Sequence, residues 1–339
     1  MSSEQPQSVS PAAQRYPGGT RPQLSIVAPM FNEAENLPEF FERIEKVLAA
    51  LKMSYEIICV NDGSRDDTLA RLREQRRSNP AIKIINLSRN FGKDVALSAG
   101  IDHAGGDAVV PMDSDMQDPP ELIVDFVAKW REGFDVVYGT RITRQGEGWF
   151  KRLSARMFYH VIASMTHIDI PRNTGDYRLM DRRVVNAMGR LPERSRFMKG
   201  LFAWVGFRQT SILYDRQPRH KGKTKWNYWR LWNFALDGIT SFSSFPLKIW
   251  SYVGVALAFG AMVYSGLLVY WKLTNQMNMP AGYASTIVAI LFFGSIQLIS
   301  LGVVGEYLAR IYIEVKGRPL YLVRDLDGFE GEQETGRRP

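Results

Sequence analysis

From Leu24 to about Thr140, short apolar runs alternate with stretches of helical period. The runs Leu24–Pro29, Tyr55–Asp62, Ile82–Leu87, Ala108–Asp113 and Asp135–Thr140 are rich in apolar residues, as strands covered on both faces require. Between them, Glu33–Leu51 and Asp66–Arg77 place apolar residues at three- and four-residue spacing, the period of an amphipathic helix. This alternation predicts an α/β domain built on a mostly parallel sheet. Residues 1–22, rich in Ser, Gln, Pro and Gly without an apolar run, are expected to form a disordered lead-in and not a secretory signal.

The C-terminal third differs in kind. Ile249–Trp271 holds 23 residues without a charge between Lys248 and Lys272, and Tyr283–Gly305 is a second uncharged run of 23. At about 1.5 Å per residue each spans roughly 34 Å, enough for a hydrocarbon core of about 30 Å. Two transmembrane helices are therefore predicted. Trp226, Trp229, Trp232, Trp250 and Trp271, five of the eight tryptophans, stand in or beside this region, as an interfacial aromatic belt does. Residues 226–248 read as an amphipathic helix lying along the membrane surface.

Flanking charge sets the expected orientation. Lys221, Lys223, Lys225, Arg230 and Lys248 precede the first run and Arg310, Lys316 and Arg318 follow the second, whereas the connector Lys272–Gly282 holds only Lys272. The positive-inside bias places both the large domain and the C-terminus in the cytoplasm. The domains expected are thus 23–225 for the α/β unit, 226–248 for the interfacial helix, 249–308 for the two spans and 309–339 for a cytoplasmic tail.

Composition narrows the classes. The 339 residues are 45% hydrophobic and 23% charged, which excludes a disordered or fibrous chain. The net charge of +8, from 43 Lys+Arg against 35 Asp+Glu, suits anionic lipid. No nucleic-acid module is recognisable, so no nucleic-acid partner is expected. Cys59 stands alone and His103, His160, His167 and His220 are scattered without ligand spacing. Neither an intramolecular disulfide nor a Cys- or His-based zinc site is expected.

The strongest chemical signal is Asp113-Ser114-Asp115-Met116-Gln117-Asp118-Pro119-Pro120-Glu121, at the end of a predicted strand, where ligands of open α/β sheets collect. Two carboxylates one residue apart offer hard oxygen ligands to Mg²⁺ or Mn²⁺, which can bridge a diphosphate. A helix-capping turn centred on Asp118 is the alternative. Ala28-Pro29-Met30-Phe31-Asn32-Glu33 ends the first strand and Val60-Asn61-Asp62-Gly63-Ser64 the second. Asp62 is placed to accept hydrogen bonds from a base or ribose, though a plain Asp-Gly turn has the same residues. Gly-x-Gly-x-x-Gly and Walker patterns are missing from the sequence, which argues against a dinucleotide dehydrogenase and a P-loop NTPase.

These blocks, with Ser88-Arg89-Asn90-Phe91-Gly92-Lys93, Gly175-Asp176-Tyr177-Arg178-Leu179-Met180, Phe197-Met198-Lys199-Gly200, Gly238-Ile239-Thr240-Ser241-Phe242-Ser243 and Gly305-Glu306-Tyr307, resemble glycosyltransferase family 2. Within it the likeness is to the bacterial polyprenyl-phosphate (bactoprenol) glucosyltransferases, relatives of dolichyl-phosphate mannose synthase, over about residues 24–322. The resemblance implies a GT-A type, Rossmann-like domain that moves a hexose, with inversion, from a nucleotide sugar to a polyprenyl phosphate at the cytoplasmic face of a bacterial inner membrane. It implies glucose from UDP-glucose and undecaprenyl phosphate as the pair. A UDP-N-acetylhexosamine, a UDP-aminoarabinose derivative or GDP-mannose is the alternative donor.

By the same resemblance, Asp113 contacts the nucleotide sugar, Asp115 and Gln117 hold Mg²⁺ or Mn²⁺, and Pro29, Glu33, Asp62 and Lys93 line the donor side. Asp176 is the implied catalytic carboxylate, with Asp115 beside it in the catalytic set; a surface carboxylate paired with Arg178 is the plain alternative for Asp176. Five cations crowd Arg216–Lys225, and of these Lys223 and Lys225, together with Arg141, are the candidates for the acceptor phosphate. A homo-oligomer, specifically a tetramer, is a family expectation. Processive polysaccharide synthases of the superfamily carry a Gln-x-x-Arg-Trp block and more spans, neither of which is present, and a dead scaffold would not need the intact carboxylates.

Overall fold

The computed structural model describes residues 21–142, 174–191, 193, 198–215, scattered residues between 252 and 274, and 282–329. In chain order the elements are β1 (Leu24–Met30), α1 (Leu37–Leu51), β2 (Tyr55–Asn61), α2 (Thr68–Ser78), β3 (Ile82–Leu87), α3 (Lys93–His103), β4 (Ala108–Pro111), α4 (Leu122–Arg131), β5 (Val136–Arg141), β6 (Thr174–Asp181), α5 (Arg182–Met188), α6 (Met198–Trp204), β7 (Gln209–Tyr214), α7 (Tyr283–Val315) and β8 (Val323–Asp327). Among the described residues one mixed sheet of eight strands runs in the order β7-β5-β6-β4-β1-β2-β3-β8.

The sheet is mostly parallel, as the strand–helix alternation predicts. β1 pairs in parallel with β2 and β4, β2 with β3, and β5 with β7. The departures are β6, antiparallel to both β4 and β5, and β8, antiparallel to β3. β1 therefore lies between β2, where the chain leaves to one side, and β4, where it returns on the other. At such a reversal the connections part and leave a crevice at the carboxyl ends of the strands.

Local chemistry explains the helix limits. α1 buries Leu37, Phe40, Phe41, Ile44, Val47 and Leu48 at helical spacing and has proline in its first turn, where the missing N–H is not needed. It begins at Leu37, not Glu33, because Glu33–Asn36 closes a separate turn through Asn36 N–H to the Glu33 carbonyl at 2.9 Å. α3 has no amphipathic stripe to read: Ala96 through Ile101 is a continuous buried run. Small residues let it lie close to the sheet, and a Cβ on Gly100 would stand 2.2 Å from Val27 Cγ1.

One side of the sheet carries the main core, with Leu24, Ile26, Ile57, Cys59, Ile82 and Ile84 facing Phe40, Ile44 and Phe126. Cys59 is fully buried and burial pushes its thiol up, so it is an inert core residue. The domain also buries one ion pair. Glu56 accepts from Ser25 Oγ at 2.6 Å and the Gly105 N–H at 2.6 Å, and Lys83 Nζ closes on it at 2.7 Å.

Two compact units separate, and the described residues 319–329 belong to the same unit as the sheet. In that unit β8 is fastened by Asn86 Nδ2 donating to Asp325 at 2.7 Å, Arg73 Nε donating to Asp327 at 2.8 Å and the Ser88 N–H donating to the Leu322 carbonyl at 2.9 Å. In the other unit α7 runs for 33 residues, past Gly305. Its stretch Phe292–Val315 is long and apolar enough to cross a membrane and has none of its residues buried. Described residues of the first predicted span, such as Tyr252–Gly254, are helical. Most of that span, and the whole of 226–248, lie outside the described residues.

Candidate active site

The crevice beside β1 gathers the residues that the motifs single out. Glu33 follows β1, Asp62 follows β2, and Asp113, Asp115 and Gln117 follow β4. The turn after β1 is stitched to the turn after β2. Asn32, at φ 56°, donates its N–H to Ser64 Oγ at 3.0 Å and accepts the Arg65 N–H on Oδ1 at 2.8 Å, while the Glu33 N–H donates to Thr68 Oγ1 at 2.9 Å. Asparagine tolerates this left-handed backbone better than most residues.

At the centre stands a cation between two carboxylates. Lys93, the first residue of α3, places Nζ 2.7 Å and 2.9 Å from the two oxygens of Asp113 and 3.0 Å from Asp176 Oδ2. Burial works against the ammonium, but the charges of Asp113 and Asp176 outweigh it and hold Lys93 protonated well above its ordinary range. Burial raises the Asp113 carboxyl, Lys93 pulls it down and Asp176 pushes it up again, with a net upward shift. Asp176, on β6, joins Asp113 although 63 positions separate them; the antiparallel insertion of β6 beside β4 brings them together.

Glu33 reports the charge of this crevice. Burial is the largest influence on its carboxyl; Asn36 opposes it through a 2.5 Å hydrogen bond, and Asp115, Asp113 and Asp66 add like-charge repulsion, so the balance is upward. The β4 loop thus concentrates negative charge. Its geometry is set by Met116, which is buried with φ 56°, and by the Gln117 N–H donating to Asp115 Oδ1 at 3.2 Å.

Oxygen donors of this kind fit a hard divalent cation. Among the described residues no cluster of three or more His, Cys, Asp or Glu side chains forms a complete metal cage. Mg²⁺ commonly takes only one or two protein carboxylates and completes its shell with water and substrate phosphate. The surplus charge sensed at Glu33 is consistent with that arrangement.

Asp62 has a more structural setting than the sequence suggests. Its two oxygens accept the N–H groups of Phe91 at 2.7 Å and Gly92 at 3.0 Å, which locks the loop leading into Lys93. Gly63, at φ 66°, is required by close approach: a Cβ there would stand 2.5 Å from the Arg89 carbonyl carbon. Beside this lock a cleft of about 310 Å³ is lined by Phe31, Asn61, Ser64 and Asn86 and by the cations Arg65, Arg89 and Arg324. Asn61 Nδ2 donates to Asn86 Oδ1 at 2.8 Å across the β2–β3 register.

Asp118 and Arg141 form a second assembly. Tyr214 OH donates to Asp118 at 2.5 Å, and Arg141 reaches Asp118 through Nη2 at 3.3 Å and Tyr214 OH through Nε at 3.0 Å. Asp118 is therefore a buried anchor and not the cap of α4, whose N-cap is Glu121. Gly175 passes so close to Arg141 that a Cβ would lie 2.8 Å from Nη2, which puts this guanidinium beside the backbone that carries Asp176.

The structure thus brings Glu33, Lys93, Asp113 and Asp176 into one electrostatic group, with Asp115 and Gln117 on the same loop. Pro29 remains within β1, and Arg141 is held by Asp118. Lys223 and Lys225 lie outside the described residues. Asp176 faces Lys93, and although its charge also reaches Arg178, that arginine is buried and not a surface partner. Asn86, Tyr214 and Arg324 were not legible as site-building residues: each acts through a partner distant in sequence, and Arg324 sits in a segment read as a tail.

Comparison with known proteins agrees with this geometry. Residues 25–189 match the Glycosyl transferase family 2 profile and residues 245–311 match the GtrB C-terminal hairpin. The chain is 63% identical to an uncharacterized glycosyltransferase of Synechocystis sp., over 91% of this chain and 96% of that protein. It is 44% identical to the prophage-derived bactoprenol glucosyl transferase of Shigella flexneri, over 89% and 97%. A prophage bactoprenol glucosyl transferase homolog of Escherichia coli is 43% identical over 89% and 98%. Identity of this extent across both units makes the chain an enzyme of glycosyltransferase family 2 that carries the GtrB-type C-terminal hairpin.

Proposed function

We propose that this enzyme transfers one hexose, glucose from UDP-glucose, to undecaprenyl or another polyprenyl phosphate at the cytoplasmic face of a bacterial inner membrane. The observation that carries the reading is the Asp113–Lys93–Asp176 cluster at the sheet's switch point, in a chain that also bears the C-terminal hairpin. Relatives named as bactoprenol glucosyl transferase or its homolog, matched over 97% and 98% of their own length, support the choice of acceptor. Residues 249–271 and 283–305 then form two spans, 226–248 lies along the membrane surface, and 23–225 and the C-terminus face the cytoplasm.

The chemistry asks for charge control more than for a strong base. The second pKa of a phosphate monoester is about 6, so near neutral pH its oxygen is already a nucleophile. It attacks the anomeric carbon opposite the departing diphosphate, forms the new C–O bond as the old one breaks, and inverts the configuration. Asp113 and the cleft containing Arg65 and Arg89 hold the donor, Pro29, Glu33 and Asp62 shape its pocket, and Lys93 turns from the carboxylates towards the developing charge. Asp176, on the acceptor side, orients sugar and phosphate. Lys223 and Lys225, with Arg141 nearer the sheet, draw in the lipid phosphate. A divalent Mg²⁺ or Mn²⁺ held by Asp115 and Gln117 would offset the negative charge of the leaving diphosphate.

A homotetramer would give two spans per subunit enough shared surface to enclose a lipid tail. The test uses the detergent-solubilised full chain, vesicles containing undecaprenyl phosphate, and a panel of labelled UDP-glucose, UDP-N-acetylhexosamines, a UDP-aminoarabinose derivative and GDP-mannose. A lipid product bearing one hexose from UDP-glucose is expected. A different sugar would correct the donor, a growing polymer would favour a synthase, and no lipid-linked product with any donor would overturn the reading.

A further inference from the structure

Near Asp176 the domain buries a second cation that the transfer reaction leaves unexplained. Arg178 lies two residues beyond Asp176 on β6, next to the irregularity in the pairing of that strand with β5, is only 5% exposed and feels the charge of Asp176. Its guanidinium stacks on the Phe202 ring at 3.8 Å, and Nη2 donates to the Gly175 carbonyl at 2.9 Å. Its Nε has no hydrogen-bond partner. Burial lowers its proton affinity to about 10 while the charge of Asp176 raises it, so it is a cation at neutral pH. No carboxylate is hydrogen-bonded to it among the contacts of the described residues.

An apolar side chain would fill this space with less desolvation, because a buried charge without a close counterion is unfavourable. The guanidinium does supply two things that an apolar group cannot. It ties down the carbonyl of Gly175, the residue that precedes Asp176, and it adds positive charge near the carboxylate that Lys93 grips. Phe202, from α6, keeps the guanidinium flat against the strand, so it acts through Asp176 and not on the substrate.

We propose that Arg178 is a positioning residue that fixes the Gly175–Asp176 backbone and so holds the Asp176 carboxylate oriented for the transfer step. This rests on Asp176 being the reacting-site carboxylate of the proposed function. It assigns a purpose to a charge whose neighbours would otherwise make it a cost without return.

The test compares Arg178→Met, Arg178→Lys, Phe202→Leu and Asp176→Asn in the full solubilised chain, with whichever donor the wild type consumes. Arg178→Met loses the hydrogen bond to the Gly175 carbonyl and a charge near Asp176, so it is expected to melt somewhat below wild type while staying folded at the assay temperature. Its kcat should fall about 100-fold, as for loss of other preorganised electrostatic groups, with donor KM within about threefold. Arg178→Lys, which keeps the charge, should recover about a tenth of wild-type kcat, an intermediate value between the two.

Retention of more than about a third of kcat by Arg178→Met would overturn the proposal, as would a loss that tracks only a fallen melting temperature. If Arg178→Met does not fold, Phe202→Leu decides. A drop in kcat of about tenfold at unchanged donor KM supports the proposal, and wild-type kcat overturns it. Asp176→Asn separates the two possible failures: full activity there sinks the reading of Asp176 itself, whereas an inactive Asp176→Asn beside an active Arg178→Met sinks only the role of Arg178.

Discussion

Lys93 Nζ stands 3.0 Å from Asp176 Oδ2 while it also grips Asp113, so one ammonium joins the carboxylate of the β4 loop to that of β6. Without it, two acidic groups would face each other across a partly desolvated space. Lys93→Met should lower kcat/KM by about 10²- to 10³-fold, the scale for losing a preorganised charge at a reacting centre. Steady-state transfer assays check this, with the melting temperature as a control for folding.

The charge of the β4 loop predicts how the enzyme responds to chelation. Asp115→Asn, or saturating EDTA, should reduce turnover by at least about 100-fold. Added Mg²⁺ or Mn²⁺ should restore the EDTA-treated wild type but not the variant. If chelated enzyme turned over at the wild-type rate, the role assigned to Asp115 and Gln117 would be wrong.

Acid stability should depend on Glu56. Burial tends to raise its carboxyl, but Lys83, Ser25 and the Gly105 N–H together bring it below the ordinary range. A group with a depressed folded-state pKa stabilises the fold fully above its unfolded value, about 4.3, and loses that contribution as pH falls through the folded one. Lys83→Met removes the counterion of a buried carboxylate and should destabilise the domain by about 3–5 kcal/mol near neutral pH. Its deficit relative to wild type should narrow as the medium is acidified below pH of about 4. Denaturant melts across a pH series test both statements.

Close packing of α3 makes Gly100 sensitive to a single methyl. The added Cβ would meet Val27 Cγ1 at 2.2 Å and Val60 Cγ2 at 3.0 Å, and both are buried core side chains. Gly100→Ala should therefore cost about 1–3 kcal/mol through overpacking, despite the helix propensity that alanine brings. Because α3 carries Lys93 at its start, a parallel loss of activity is expected. Chemical denaturation gives the first quantity and transfer assays the second.

The β8 fastening yields a fifth expectation. Asp325 accepts from Asn86 and Asp327 from Arg73, and Arg324, just before them, lines the cleft. Arg324→Ala should weaken donor binding by about 3- to 10-fold with little change in kcat, the pattern of an interaction shared by ground and transition states. An unchanged donor KM would remove Arg324 from the donor pocket.

Much of this molecule was legible along the chain. The central strands are nearly continuous apolar runs, and β3 begins and ends where its run does, at Ile82 and Leu87. The carboxylates after β1, β2 and β4 stood at strand ends, where a parallel sheet presents them. α3 was hidden because burial on all sides erases the helical stripe. β6 and β8 were hidden because antiparallel partners distant in sequence, not their own composition, define them. Val323–Asp327 holds three charges in five residues and becomes a strand only where the β3 edge offers its backbone hydrogen bonds.

Sequence alone determined the candidate site residues, the α/β class and the presence of two long uncharged runs, because residue type and periodicity are local properties. Tertiary structure decided which of those side chains meet. It put Lys93 between Asp113 and Asp176, turned Asp62 and Asp118 into anchors for neighbouring loops, and left Arg178 buried near Asp176. Such assignments depend on strand order and on the exclusion of water from particular charges, and both emerge only when distant segments pack together.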